Sequence, residues 1–452
     1  MRFHVLAIPH TVTRKDYSAC AFTQKVLKWC KMMTLRGHTV YHYGHKDSEV
    51  ICTEHIPVTF NEDLEKAYGS YDWKKTFFKH NTADHAHQIF NQRAIVEVGK
   101  RKQKGDFVLC FWGYAHRPIF QAHPELIPVE PGIGCTNEPC CPQNIYESYS
   151  VMNQIYGKYG RSPHWYDAVI PNYFDPEDFE YNATPQDYYL FVGRIISSKG
   201  IGIAVELTKK IGAKLLVAGQ GDLTSIVGSI PDHVQIIGYV EPKERCQLMK
   251  NAKALIAPTH FNEPFGGVMV EALFCGTPVI TSDWGGFAEN NLHGVTGYRC
   301  RTMEQFEWAA KNIDKISRRA CREWAMNNFS LDRVALMYEE YFETLTKVHD
   351  GSGGFYAKNP DRQNLDWMVR YYPTTGLTCS SLSEIEGVFQ TYDIPEFRPK
   401  LSEETEDAEL ASSVASLALS PSSSPVPSST NAILQPSDQG SLLSTEESSG
   451  NP

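Results

Sequence analysis

MRFHVLAIPHTVTRKDYSACAFTQKVLKWCKMMTLRGHTVYHYG, residues 1–44, alternates between two periods. Arg2–Pro9 is a short apolar run that reads as a buried strand. Phe22, Val26, Leu27, Cys30 and Met33 then recur at helical spacing, which predicts a helix near Ala19–Leu35. Gly37 follows where a helix C-terminus favours glycine, and Thr39–Tyr43 resumes as a strand. Strand, helix and strand over so few residues form a βαβ unit, and such units build parallel sheets with right-handed crossovers.

The same alternation extends outward. Strands are expected at Asp106–Trp112 and Leu126–Glu130, a helix from about Tyr146 to Tyr159, and a closing strand at Asp167–Asn172. A second series starts at Asp187, with strands at Tyr189–Val192, Lys214–Ala218, Val234–Ile237, Ala254–Ala257 and Val279–Thr281. Helices are expected between them at Gly200–Ile211, Lys243–Lys250 and Gly267–Cys275. Two such halves imply an α/β protein with two doubly wound, Rossmann-like domains facing across a cleft. The expected division is 1–180, 181–330, an extension over 331–400 that packs back on the body, and a tail over 401–452.

Composition narrows the function. The chain has 452 residues, 42% of them hydrophobic, enough for more than one core. The net charge of −10 is concentrated at one end. Residues 401–452 hold eight acidic residues and no Lys or Arg, so the rest of the chain carries only −2. A near-neutral body has no basic footprint for nucleic acid. The Ser-, Pro- and acid-rich tail cannot bury a core and is expected to be disordered. No apolar run reaches membrane-spanning length, and the N-terminus does not read as a secretory signal, which favours a cytoplasmic location and leaves a peripheral membrane contact open. The cysteines are scattered, with Cys135, Cys140 and Cys141 as the one cluster. Zinc there would need a fourth ligand and usually a spaced second pair; the spacing offers neither, so no metal is expected.

The chemistry concentrates in Pro258-Thr259-His260-Phe261-Asn262-Glu263-Pro264-Phe265-Gly266-Gly267-Val268-Met269-Val270-Glu271-Ala272-Leu273. Pro264 and the glycine pair set a tight turn before an apolar helix, whose first N–H groups can face an anion. Glu263 lies in the turn, where it can accept from sugar hydroxyls. Glu271 lies about one turn into the helix and its side chain leans back toward the N-terminus, within reach of a diol bound beside such an anion. By themselves, two glutamates at this spacing are usually a solvated face.

The segment as a whole resembles the Glu-x7-Glu motif of retaining GT-B glycosyltransferases of family 4 (glycosyl transferases group 1). Phe191-Val192-Gly193-Arg194 with Lys199-Gly200 resembles the strand-end segment in which that family holds the donor diphosphate. Ala218-Gly219-Gln220-Gly221, Gly238-Tyr239-Val240 and Trp284-Gly285-Gly286-Phe287-Ala288-Glu289 resemble its donor-side loops. The resemblance is strong from Leu190 to Tyr298 and loose elsewhere over residues 1–345. It implies a retaining, hexosyltransferase-type enzyme that uses a nucleotide diphosphate sugar, needs no further cofactor, and acts on an acceptor the sequence does not name. The catalytic assignments it implies are Glu263, Arg194, Lys199 and His116, the last just past a strand end. The donor-binding assignments are Gly193, Gly219, Tyr239, Val240, Phe265, Gly266, Gly267, Val268 and Glu271. Glu130-Pro131-Gly132-Ile133-Gly134 and Glu147-Ser148-Tyr149 also resemble a run in some members, with no role assigned.

Two features depart from the family. The loop His10-Thr11-Val12-Thr13-Arg14-Lys15 lacks the usual glycine pair, and Asn172-Tyr173 replaces the usual Asn-Gly. Both lie on the acceptor side. The folded part has no Asp-x-Asp for a divalent cation, so Arg194, Lys199 and the helix N-terminus would stabilise the diphosphate without metal. A nicotinamide oxidoreductase would need a glycine-rich first loop, which is absent. A catalytically inactive GT-B binding or scaffold protein is the remaining alternative.

Overall fold

The computed structural model describes residues 1–351 except Phe77 and Trp165. The expectations for the rest of the extension and for the 401–452 tail fall outside the described residues. Two all-parallel sheets organise the chain. The first holds β1 (Arg2–Leu6), β2 (Thr39–His45), β3 (Glu54–Thr59), β4 (Phe107–Cys110), β5 (Ile127–Ile133), β6 (Gln143–Tyr146) and β7 (Ala168–Val169), in the order β3-β2-β1-β4-β5-β6-β7. The second holds β8 (Tyr189–Val192), β9 (Leu215–Ala218), β10 (Val234–Gly238), β11 (Ala254–Ala257), β12 (Val279–Ser282) and β13 (Gly297–Cys300), in the order β10-β9-β8-β11-β12-β13. Each order reverses once, at β1/β4 and at β8/β11. In a parallel sheet that reversal splays the flanking loops and leaves a crevice beyond the strand C-termini.

The first core is nearly continuous hydrocarbon. Phe3, Val5 and Leu6 of β1, Val108 and Leu109 of β4, and Trp29, Cys30 and Met33 of the Ala21–Leu35 helix are all fully buried. The helix Leu331–Asp350, from beyond the second sheet, returns to this core. Its Phe342 ring lies 4.8 Å from Phe3 and 4.7 Å from Phe107, and Tyr338 meets Trp29 edge-on at 6.2 Å.

Some local expectations need correction. The segment expected to open a helix at Tyr146 is instead β6, and the helix runs Tyr149–Tyr159. Ser148 sets that start, because its side chain accepts from Val151 N at 3.1 Å. The strand expected over Asp167–Asn172 pairs only at Ala168–Val169. β3, the His85–Arg101 helix and β13 were not anticipated. In that helix buried Ala86, His87, Phe90 and Ala94 are interleaved with polar residues, which blurs the apolar stripe.

Candidate functional site

The β8/β11 switch point opens onto a cleft of about 390 Å³, faced by the segment that follows β1. Its second-half wall is built from strand ends. β8 delivers Gly193 and Arg194, β9 Gly219, β10 the turn at Tyr239-Val240, and β11 the loop carrying Glu263. Arg194 and Glu263 therefore flank the β8/β11 reversal. Gly219 is required by close packing: a Cβ there would stand 1.8 Å from the Gly193 carbonyl oxygen. Gly266, at φ +88°, caps the Gly267–Phe274 helix in a left-handed conformation, and a Cβ would strike the Phe287 ring at 2.5 Å. With no capping side chain in the way, that helix presents its N-terminus toward the cleft, where Gly267 and Val268 form part of the lining.

Two ion pairs order the wall. Lys199 Nζ donates to Glu263 Oε2 at 2.8 Å and stands 4.6 Å from the centre of the Phe261 ring. Arg245 grips Glu271 through Nε–Oε2 at 3.0 Å and Nη2–Oε1 at 3.2 Å. Arg245 lies on the Pro242–Asn251 helix and carries no motif; from sequence it reads as one more solvated cation. The structure thus brings Gly193, Arg194, Lys199, Gly219, Tyr239, Val240, Glu263, Gly267, Val268 and Glu271 to one lining. Phe265 and Gly266 stand behind it. The Phe265 ring is buried against Phe174 and Phe329, so it shapes the turn from inside.

The opposite wall comes from the first half. Lys25 and Lys28 of the Ala21–Leu35 helix line the cleft with Asn172 and Lys15. Lys25 forms a buried ion pair with Glu147 and donates to the Gly132 carbonyl at 2.9 Å. Gly134 leaves room for that pair, since a Cβ there would lie 2.5 Å from the Glu147 carboxylate. The glycine run and Glu147, which had no role in the sequence, thus frame Lys25. Lys28 lies over the Phe174 ring at 4.1 Å, and burial pushes its ammonium down to about 8, with Glu271 the carboxylate that most offsets this. Neither lysine had a signal beyond its place in an apolar helix. Of the glycine-free loop after β1, His10, Thr11, Val12 and Thr13 are buried, and Lys15 reaches the cleft lining.

His116 does not reach the cleft. Its ring is fully buried, Nε2 lies 3.0 Å from the Ala7 carbonyl oxygen, and Nδ1 accepts from Trp112 N at 3.3 Å. It stacks on Phe90 at 5.5 Å, and burial holds it neutral, near 3. Both nitrogens serve the backbone, so the catalytic assignment is corrected to a packing one. The expectation rested on its place after a strand end, which does not say which way the ring turns.

The two walls also touch directly. Glu289 accepts from Tyr149 N at 3.0 Å and Ser150 N at 2.7 Å, closing the start of the Tyr149–Tyr159 helix from across the cleft. Gln220 Nε2 donates to the Trp73 carbonyl at 3.0 Å, and Trp73 stacks on Tyr17 at 4.6 Å.

Comparison with known proteins agrees with this geometry. Residues 175–327 match the family model described as glycosyl transferases group 1, a span that includes all of β8–β13 and both glutamates. An uncharacterized glycosyltransferase of Methanocaldococcus jannaschii is 32% identical over 200 residues, covering 38% of this chain and 50% of that protein. Phosphatidyl-myo-inositol mannosyltransferase of Mycobacterium tuberculosis is 30% identical over 148 residues, covering 29% of this chain and 39% of that protein. The chain thus spans half or less of the length of these curated relatives. Among solved structures, sucrose-phosphate synthase from Thermosynechococcus elongatus superposes with a TM-score of 0.59 at 17% identity, covering 77% of this chain and 100% of that one. Anabaena HepE, in complex with UDP and glucose, gives 0.57 at 14% identity, covering 76% and 100%. The fold is therefore GT-B, and residues 175–327 of its second half are similar to the glycosyl transferases group 1 family model.

Proposed function

We propose that this chain transfers a hexosyl group from a nucleoside diphosphate sugar to an acceptor hydroxyl, with retention of anomeric configuration and without a divalent cation at the diphosphate. The observation that carries this reading is the meeting of Arg194, the Lys199–Glu263 pair and the Gly267–Phe274 helix N-terminus at the β8/β11 switch point. Charge develops on the leaving diphosphate as the glycosidic bond breaks. Fixed cations and a helix N-terminus at that place lower the barrier without reorganising. Lys199 has three N–H donors, so holding Glu263 leaves it able to reach a phosphate. Glu263 then orients Lys199 and accepts from donor-sugar hydroxyls. Tyr239-Val240 meets the base, and Glu271 takes the ribose diol, with Arg245 fixing its carboxylate. Retention follows from front-face attack, the departing phosphate oxygen taking the acceptor's proton.

A uridine nucleotide is the first donor to try, because the structural relative HepE binds UDP. The test has two arms. Thermal shift with UDP and other nucleoside diphosphates should raise the melting temperature, since a ligand bound only by the native state stabilises it. UDP release from UDP-glucose should then be equal with and without added magnesium or manganese. A strict manganese requirement would overturn the metal-free reading. Binding with no release from any nucleotide sugar, with or without candidate acceptors, would favour a scaffold that holds nucleotide without chemistry.

A further inference from the structure

Away from the cleft, the ends of β4 and β5 meet the segment before β6 in a cluster of thiols around a buried carboxylate. The sheet register pairs Leu109 with Val129, so Cys110 and Glu130 are the next neighbours along those strands. Cys140 and Cys141 fold back over them. Their sulfurs are 3.7 Å apart, and the ligand atoms of Glu130, Cys140 and Cys141 all lie within 4.8 Å of one another. The Cys110 thiol lies in the neighbouring strand position but outside that group of three. Glu130 accepts from Cys140 N at 2.8 Å, but among the described residues no Lys, Arg or His forms an ion pair with it. A buried carboxylate is neutralised by a proton, a cationic side chain or a metal.

We propose that Glu130, Cys140 and Cys141 bind a structural zinc ion, with Cys110 drawn in as the fourth ligand when the metal is present. Zinc takes four ligands in a tetrahedron, thiolates at about 2.3 Å, which sets neighbouring sulfurs about 3.8 Å apart. The Cys140–Cys141 separation of 3.7 Å fits that value, as does the 3.8 Å between Cys246 and Cys275, which among the described residues lack a nearby carboxylate ligand in such a group. Thiolates and carboxylates are both zinc donors, and the cluster lies outside the cleft lining, which separates this centre from the transfer chemistry. The sequence spacing lacked a fourth ligand and a second pair because both arrive through the sheet: Cys110 and Glu130 lie 30 and 10 residues before Cys140 in the chain. Binding would release the thiol protons and tie residues 134–142, which have no regular structure, to β4 and β5. That segment follows Gly132, whose carbonyl holds the cleft residue Lys25.

The test is metal analysis of the full-length chain, purified under reducing conditions from zinc-supplemented cells. About one zinc per chain is expected, and chelator-stripped protein should take up cobalt(II) with sulfur-to-cobalt charge-transfer absorption and an intense tetrahedral visible band. Cys140→Ser and Cys141→Ser should lose most of the zinc, whereas Cys52→Ser should keep it. Wild-type protein with less than about a tenth of an equivalent, and no cobalt spectrum, would overturn the proposal. So would zinc that survives in both serine variants, which would mark an adventitious ion. The wild-type measurements stand even if a variant fails to fold.

Discussion

Arg194 and Lys199 sit where negative charge would rise, so their loss should slow the reaction more than it weakens donor binding. Arg194→Ala and Lys199→Ala are each expected to lower turnover by roughly 10²–10³ in a folded protein. Glu271→Ala should mainly raise the donor KM, because a ribose contact is alike in ground and transition states. Steady-state kinetics with a donor in hand, and circular dichroism to confirm folding, separate these outcomes; near-normal turnover in both cation variants would displace the assignment. His116→Ala belongs to another class. It strips partners from the Ala7 carbonyl and Trp112 N–H and leaves a void beside Phe90, and should cost roughly 2–4 kcal/mol in urea unfolding. Full stability with selectively lost transfer would restore a catalytic role. Residue chemistry was legible where a motif fixed the backbone, as at Glu263 and Gly266-Gly267. It was illegible at Arg245 and Lys28, whose meaning comes from what stands opposite them in space.

At the scale of elements, helices and strands with a clean period were legible to within a few residues, as Tyr189–Val192 and Ala254–Ala257 show. Elements shaped by neighbours were not. β6 is only four residues, two of them polar, so it shows no period of its own, and Ser148 draws the boundary only through its cap. The same helix start carries the joint between the halves, where Glu289 places a carboxylate against two N–H groups. An anion there stabilises through both hydrogen bonds and the helix dipole. Glu289→Ala should therefore cost about 0.5–2 kcal/mol. Hydrogen exchange at the Tyr149 and Ser150 amides should accelerate with it. Unchanged exchange at both amides would show that the carboxylate does not hold them.

Across the whole molecule, the two-sheet plan was readable because each half repeats the strand–helix alternation of residues 1–44. What the sequence could not show is that the helix Leu331–Asp350 completes the first core rather than the second. Phe342→Ala should thus cost about 3–5 kcal/mol, although the residue lies some 170 positions beyond the last strand of the sheet it covers. A loss under about 1 kcal/mol in urea unfolding would mean that the helix contributes little to that core. The arrangement also bears on how the chain is made. A ribosome adding about 5–20 residues per second needs roughly 10–30 s to travel from Val169 to Leu331. Throughout that interval the nascent first half has its strands but not the helix that covers Phe3, Trp29 and Phe107. The second half, whose strands are contiguous in the chain, can close meanwhile. Synthesis therefore leaves the earlier-made half to finish last, with an apolar groove open to chaperones until the late helix emerges.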